Sequence, residues 1–92
     1  MKYFDWDKKK NDWLKEERGI CFEDILQALD EGKELDRISH PNKKQYPNQK
    51  QIIVNLNSYA YIVPFVEDEE KVFLKTIIPS RKMTKKYLIE GK

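Results

Sequence analysis

The stretch Gln51–Pro79, QIIVNLNSYAYIVPFVEDEEKVFLKTIIP, decides the fold. It holds three runs rich in β-branched and aromatic residues, QIIVNLN, AYIVPFV and KVFLKTIIP. Asn57-Ser58 separates the first two, and the acidic group Glu67, Asp68, Glu69 and Glu70 separates the last two. Strand formers joined by such short polar connections predict an antiparallel meander. Tyr59, Tyr61, Val63 and Phe65 alternate along the middle run, and Tyr61 and Phe65 are expected in the core.

Upstream, HPNKKQYPNQK (40–50) is expected to be an exposed, partly extended loop, because Pro41 and Pro47 bar a central strand. ELDRIS (34–39) reads as a short strand that turns Leu35 and either Arg37 or Ile38 inward. CFEDILQALDEG (21–32) sets Phe22, Ile25, Leu26 and Leu29 at i, i+3, i+4 and i+7, with acids in the first turn and Gly32 at the end, which predicts a helix. A second helix is predicted over 8–17, capped by Asp7 and closed by Gly19. MKYFDWD gives a short first strand. Ser80 is placed to cap a last helix reaching Tyr87 or Leu88, with IEGK fraying beyond it. Trp6 and Trp13 read as structural aromatics of a thin core.

The predicted order is β-α-α-β-β-β-β-α, an α+β domain with helices on one face of an antiparallel sheet. A length of 92 residues accommodates one such domain, 1–92, and not two.

Charged residues make up 37% of the chain and the net charge is only +2, so a nucleic-acid reading has to rest on where the cations sit. Lys8, Lys9, Lys10, Lys43, Lys44, Lys50, Arg81, Lys82, Lys85 and Lys86 fall in basic groups. Cys21 is the only cysteine and His40 the only histidine, which excludes a disulfide framework and a conventional Cys/His zinc site. The acids lie on a strand edge and a turn, so a metal site is not expected, nor any other cofactor. No run is apolar enough for a membrane span and the first residues lack a secretory signal, so a cytoplasmic protein is expected.

Two segments resemble a known family. FDWDKKKNDWLKEERGICFED (4–24) is similar to the opening of BrnT-type toxins, matching at Trp6, Asp7, Lys10, Gly19, Ile20, Phe22 and Glu23. IIPSRKMTKKY (77–87) resembles the same family's Ile-Ser-Ala-Arg-Lys-Ala signature, with Arg81 and Lys82 in register. The family's His before the Gly is Arg18 here, its Ser at the helix start is Cys21, its first-helix Asn falls on Leu14, and its Ala before Arg-Lys is Ser80. Between Asp30 and Leu74 the likeness extends only to the order of elements.

The resemblance implies a RelE/ParE-like fold, cleavage of messenger RNA, free or on the ribosome, and neutralisation by an antitoxin with a ribbon-helix-helix-like DNA-binding part. The catalytic candidates are Lys10, His40, Arg81 and Lys82. His40, or Lys10 in its absence, is expected to assist removal of the ribose 2′-OH proton, and Arg81 and Lys82 are expected to stabilise the charged phosphate beside exposed backbone N–H groups. Arg18, Lys43, Lys44, Tyr46, Lys85 and Tyr87 are candidates for holding RNA, the tyrosines by stacking. Arg18 cannot take over proton transfer from the family histidine, because guanidinium stays charged. Metal-independent attack of the 2′-OH on the adjacent phosphate is expected to leave a 2′,3′-cyclic phosphate and a 5′-hydroxyl. The alternatives are a non-cleaving RNA- or protein-binding module of the same fold, and a gyrase-directed poison.

Overall fold

The computed structural model describes residues 2–39, 41–45 and 47–89. In chain order it contains β1 (Tyr3–Trp6), α1 (Lys8–Arg18), α2 (Phe22–Asp30), β2 (Glu34–Ser39), β3 (Gln49–Leu56), β4 (Tyr59–Glu67), β5 (Lys71–Leu74), β6 (Ile78–Pro79) and α3 (Arg81–Thr84). A π-helical turn, Lys85–Ile89, continues α3. This is a compact α+β fold on a six-stranded sheet, ordered β1-β5-β4-β3-β2 with β6 paired to β4.

The meander forms as expected. Asn57 and Ser58 both take positive φ, 54° and 66°, the backbone twist that lets a two-residue turn join β3 to β4. Asp68 closes the next turn by accepting from the N–H groups of Glu70 and Lys71. The sheet is nevertheless mixed, because β1 runs parallel to β5 while the other pairs are antiparallel. The expectation of a purely antiparallel sheet fails at β1, since no short connection ties that strand to its neighbour and sets its direction.

Both predicted N-terminal helices are present with their caps. The Asp7 carboxylate accepts from Lys9 N–H at 3.0 Å, and Gly19 closes α1 at φ 65°. At the start of α2, Asp24 accepts the Cys21 N–H. Phe22, Ile25 and Ala28 of α2 pack with Leu14, Ile52, Val54, Val63, Phe65 and Leu74, and Trp6 stacks on Phe22 with ring centroids 5.5 Å apart.

Helices on one face describes only half of the molecule. Ile53, Ala60 and Pro64 are buried, yet alternation turns them away from the core residues Ile52, Val54, Val63 and Phe65. The C-terminal segment lies against this second face. Thr84 Oγ1 accepts from Ala60 N–H, and the Tyr87 hydroxyl donates to Asp36, the strand partner of Ile53. Met83, Thr84, Tyr87 and Leu88 are the buried or half-buried positions of this segment, and their spacing says that one side is covered but not which face of the sheet covers it. The expected fraying of 89–92 falls, beyond Ile89, outside the described residues.

Candidate nucleic-acid interface

Pro64 shapes the sheet edge at which Arg18 is anchored. It has no N–H, and its carbonyl accepts from Lys75 N–H at 2.8 Å, so it faces the chain that follows β5. Phe65 pairs with Leu74 and Ile62 with Ile78, which leaves Val63 and Pro64 opposite Lys75, Thr76 and Ile77. One extra residue is therefore bulged out of the ladder, and the single run KVFLKTIIP becomes two strands, β5 and β6. The sequence signal for this break was Pro64 itself, a proline within a central strand.

The bulge frees the Ile77 carbonyl, and Arg18 Nη1 at the end of α1 donates to it. The same guanidinium carbon lies 5.3 Å from the centre of the Trp13 ring, and Lys10 Nζ lies 4.6 Å from it. Trp13 is 43% exposed rather than a core residue, because α1 turns only Asn11 and Leu14 fully inward. Trp6, by contrast, joins the core as expected.

Past β6, Ser80 N–H donates to the Ala60 carbonyl at 3.0 Å, and Ser80 Oγ accepts from Met83 N–H at 3.1 Å. The serine cap predicted from sequence is present. It also takes up one of the backbone N–H groups that were expected to be open beside Arg81 and Lys82, both of which are exposed.

Charge divides the cations into two sets. Lys2 and Lys50 pair with Glu67, Lys33 with Glu31, Arg37 with Glu34 and Lys71 with Asp5. Among the described residues, no carboxylate lies within ion-pair distance of Lys10, Arg18, Arg81 or Lys82.

Other candidates lie elsewhere. Lys43 and Lys44 are exposed on the turn that leads into β3, whose first residue pairs with Val66, whereas Ser80 adjoins Ala60 at the opposite end of β4. Ala60 and Val66 are six positions apart, roughly 20 Å along a strand. Lys85 is exposed on the C-terminal segment. Tyr87 is half-buried and spends its hydroxyl on Asp36, which raises the phenol's pKa and lowers the carboxyl's. His40 and Tyr46 lie outside the described residues.

Sequence reasoning missed Asn11, which is 4% exposed. Its carbonyl oxygen accepts from Phe22 N–H and its amide donates to Glu23, both at 2.8 Å, so it holds α1 against the start of α2. Set among lysines and an aspartate, it carried no signal that distinguished it from a solvated residue. Cys21 offers no activated nucleophile, since burial pushes its thiol up, away from the thiolate. A cleft of about 320 Å³ between α2 and the β3–β4 turn also borders Arg18, but Asp24 and Glu31 share its lining with Lys33.

No protein-family model, curated protein or solved structure matches the chain.

Proposed function

We propose that this chain is a metal-independent endoribonuclease of toxin type, with the RelE/ParE-like fold and cognate antitoxin that its BrnT-like segments imply. The observation that carries the reading is that Arg18, held by Ile77 at the β5–β6 bulge, and Lys10, beside it on Trp13, have no carboxylate partner among the described residues, and neither do Arg81 and Lys82, exposed in the chain that follows β6. Cations left without carboxylate partners among the described residues suit a polyanion. In this reading Arg81 supplies a bidentate hold on the scissile phosphate and Lys82 a point charge beside it.

Among the described residues, the groups whose ionisation the fold displaces move away from neutrality. Glu23, Glu31, Asp36, Glu67 and Asp68 are held low, while Tyr87, Cys21 and Arg37 are pushed up. None of them is thereby tuned for proton transfer near pH 7. Catalysis then rests on holding the 2′-OH in line with its phosphate and stabilising the charge that develops there, with His40 the candidate for taking the proton.

A second reading has its own support. Arg18 stands where the resembling family has a histidine, and here it serves the Ile77 carbonyl and the Trp13 ring. A chain that kept the fold and the cations but lost the proton-transfer group would bind RNA, or the antitoxin, without cutting.

The deciding experiment is incubation with RNA in EDTA, comparing wild type with Arg81→Ala and His40→Ala and identifying the product ends. Cyclic-phosphate ends that disappear in Arg81→Ala are expected. RNA that is bound but left intact by wild type removes the nuclease and leaves the binding module. Intact RNA alongside broken DNA points to the gyrase-directed alternative.

A further inference from the structure

Trp13 and Tyr3 are the exposed aromatics among the described residues, and Trp13 is the larger and has two cations beside its ring. It lies on the outer side of α1, 43% exposed, while Leu14 next to it is fully buried. Two cations lie by its ring, Lys10 Nζ at 4.6 Å and Arg18 Cζ at 5.3 Å from the centroid. Arg18 also joins this ring to the sheet edge, because its guanidinium holds the Ile77 carbonyl. Immediately after Ile77 come Ile78, 40% exposed, and Pro79, also exposed, and then Arg81 and Lys82. Trp13, Lys10 and Arg18 thus form a strip along α1, an exposed ring flanked by two cations that have no carboxylate partner among the described residues.

We propose that Trp13 is a base-stacking residue for single-stranded RNA, with Lys10 and Arg18 holding the phosphates on either side of the stacked nucleotide. This deepens the ribonuclease reading and rests on it. Single-stranded nucleic acids are held by an aromatic plane for the base and by cations along the backbone. A cation on an exposed indole is held more weakly than a stacked base. Lys10, which has no other anchor among the described residues, moves from the ring to the phosphate as the base arrives. Arg18 stays, because Ile77 fixes it. An exposed ring between two cations offers a plane for a base as well as charge for the phosphates, whereas an acidic peptide would use the cations alone, so RNA fits the strip better than an acidic peptide.

The test is fluorescence anisotropy with a labelled oligoadenylate of about twelve nucleotides. Wild type, Trp13→Phe and Trp13→Ala are compared on this probe, on the same backbone made abasic, and on an oligoglutamate peptide. Trp13→Ala is expected to weaken binding of the oligoadenylate about tenfold and Trp13→Phe by less than about threefold, since a phenyl ring still stacks. The abasic strand is expected to bind the three proteins alike. Indole fluorescence is expected to be quenched by RNA in wild type and not in Trp13→Phe, whose remaining Trp6 is packed on Phe22.

Equal RNA affinity of wild type and Trp13→Ala overturns the stacking role while leaving RNA cleavage in place. An equal loss on the abasic strand also overturns it, because Trp13 would then only support its two cations. Oligoglutamate that displaces RNA and loses affinity in Trp13→Ala reassigns the strip to an acidic peptide. If wild type binds no RNA, both this inference and the function it rests on fall.

Discussion

Arg18 donates a hydrogen bond to the carbonyl of Ile77, 59 residues away, and by this contact the end of the first helix is fastened to the bulge in the sheet. The carbonyl is available because the ladder is broken there, and the guanidinium is available because no carboxylate claims it among the described residues. Replacing Arg18 by alanine should lower stability by about 1–2 kcal/mol, the usual range for losing a charge-assisted hydrogen bond that is partly screened. Arg18→Lys should recover only part of it, since an ammonium lacks the planar fork that meets a carbonyl while lying by a ring. Urea unfolding of the three proteins measures this, and unchanged midpoints would mean the contact contributes nothing to folding.

Pro64 and the bulge should rise or fall together. Pro64→Ala introduces an N–H directed at the gap between β5 and β6, in a buried position. An unsatisfied buried donor costs about 1–3 kcal/mol, and the unfolded chain also gains freedom, so the variant should be less stable. Backbone chemical shifts of Lys75, Thr76 and Ile77 that turn into those of a continuous strand, at undiminished stability, would show instead that the proline alone enforces the break.

Asn11→Ala should be among the most damaging substitutions on α1. It leaves the buried Phe22 N–H without its acceptor and removes the link to Glu23, at a cost of about 1–3 kcal/mol. Lys15→Ala, on the exposed side of the same helix, should change stability by less than about 0.5 kcal/mol. Comparable losses in thermal unfolding for the two variants would contradict the role given to Asn11.

The Tyr87–Asp36 contact should make the C-terminal segment pH-sensitive at two limits. Asp36 has a lowered pKa in the folded protein, so its contribution is present above the ordinary carboxyl value of about 4 and is lost as pH falls through the folded value. Tyr87 has a raised pKa, so its contribution is present below the ordinary phenol value of about 10 and is lost as pH rises through the folded value. Amide exchange over Lys85–Ile89 should therefore quicken in acid and in strong alkali. In Tyr87→Phe it should be faster than wild type between these limits and lack the alkaline step. Persistence of that step in Tyr87→Phe would assign it to another group.

Much of the architecture was written locally. Asp7, Gly19, Ser80 and the Asn57-Ser58 turn act through neighbours a few residues away, so their residue types alone announced the caps and the hairpin they form. The periodicity of Phe22, Ile25 and Leu26 likewise announced α2. What the sequence by itself determined, then, are the order of the elements, apart from the split of the last predicted strand into β5 and β6, and the concentration of cations at Arg81 and Lys82. Tertiary structure alone decided that β1 runs parallel to β5, that the last helix crosses the second face of the sheet, and that Asn11 is buried while Trp13 is not. It also decided that Lys10 and Arg18 share the Trp13 ring and that Arg18 reaches Ile77 across the bulge, whereas Lys43 and Lys44 lie on the turn at the far end of β4. The physical reason is range, since capping and turn geometry depend on adjacent residues, whereas strand direction, facing and charge pairing depend on groups that only the completed fold brings into contact.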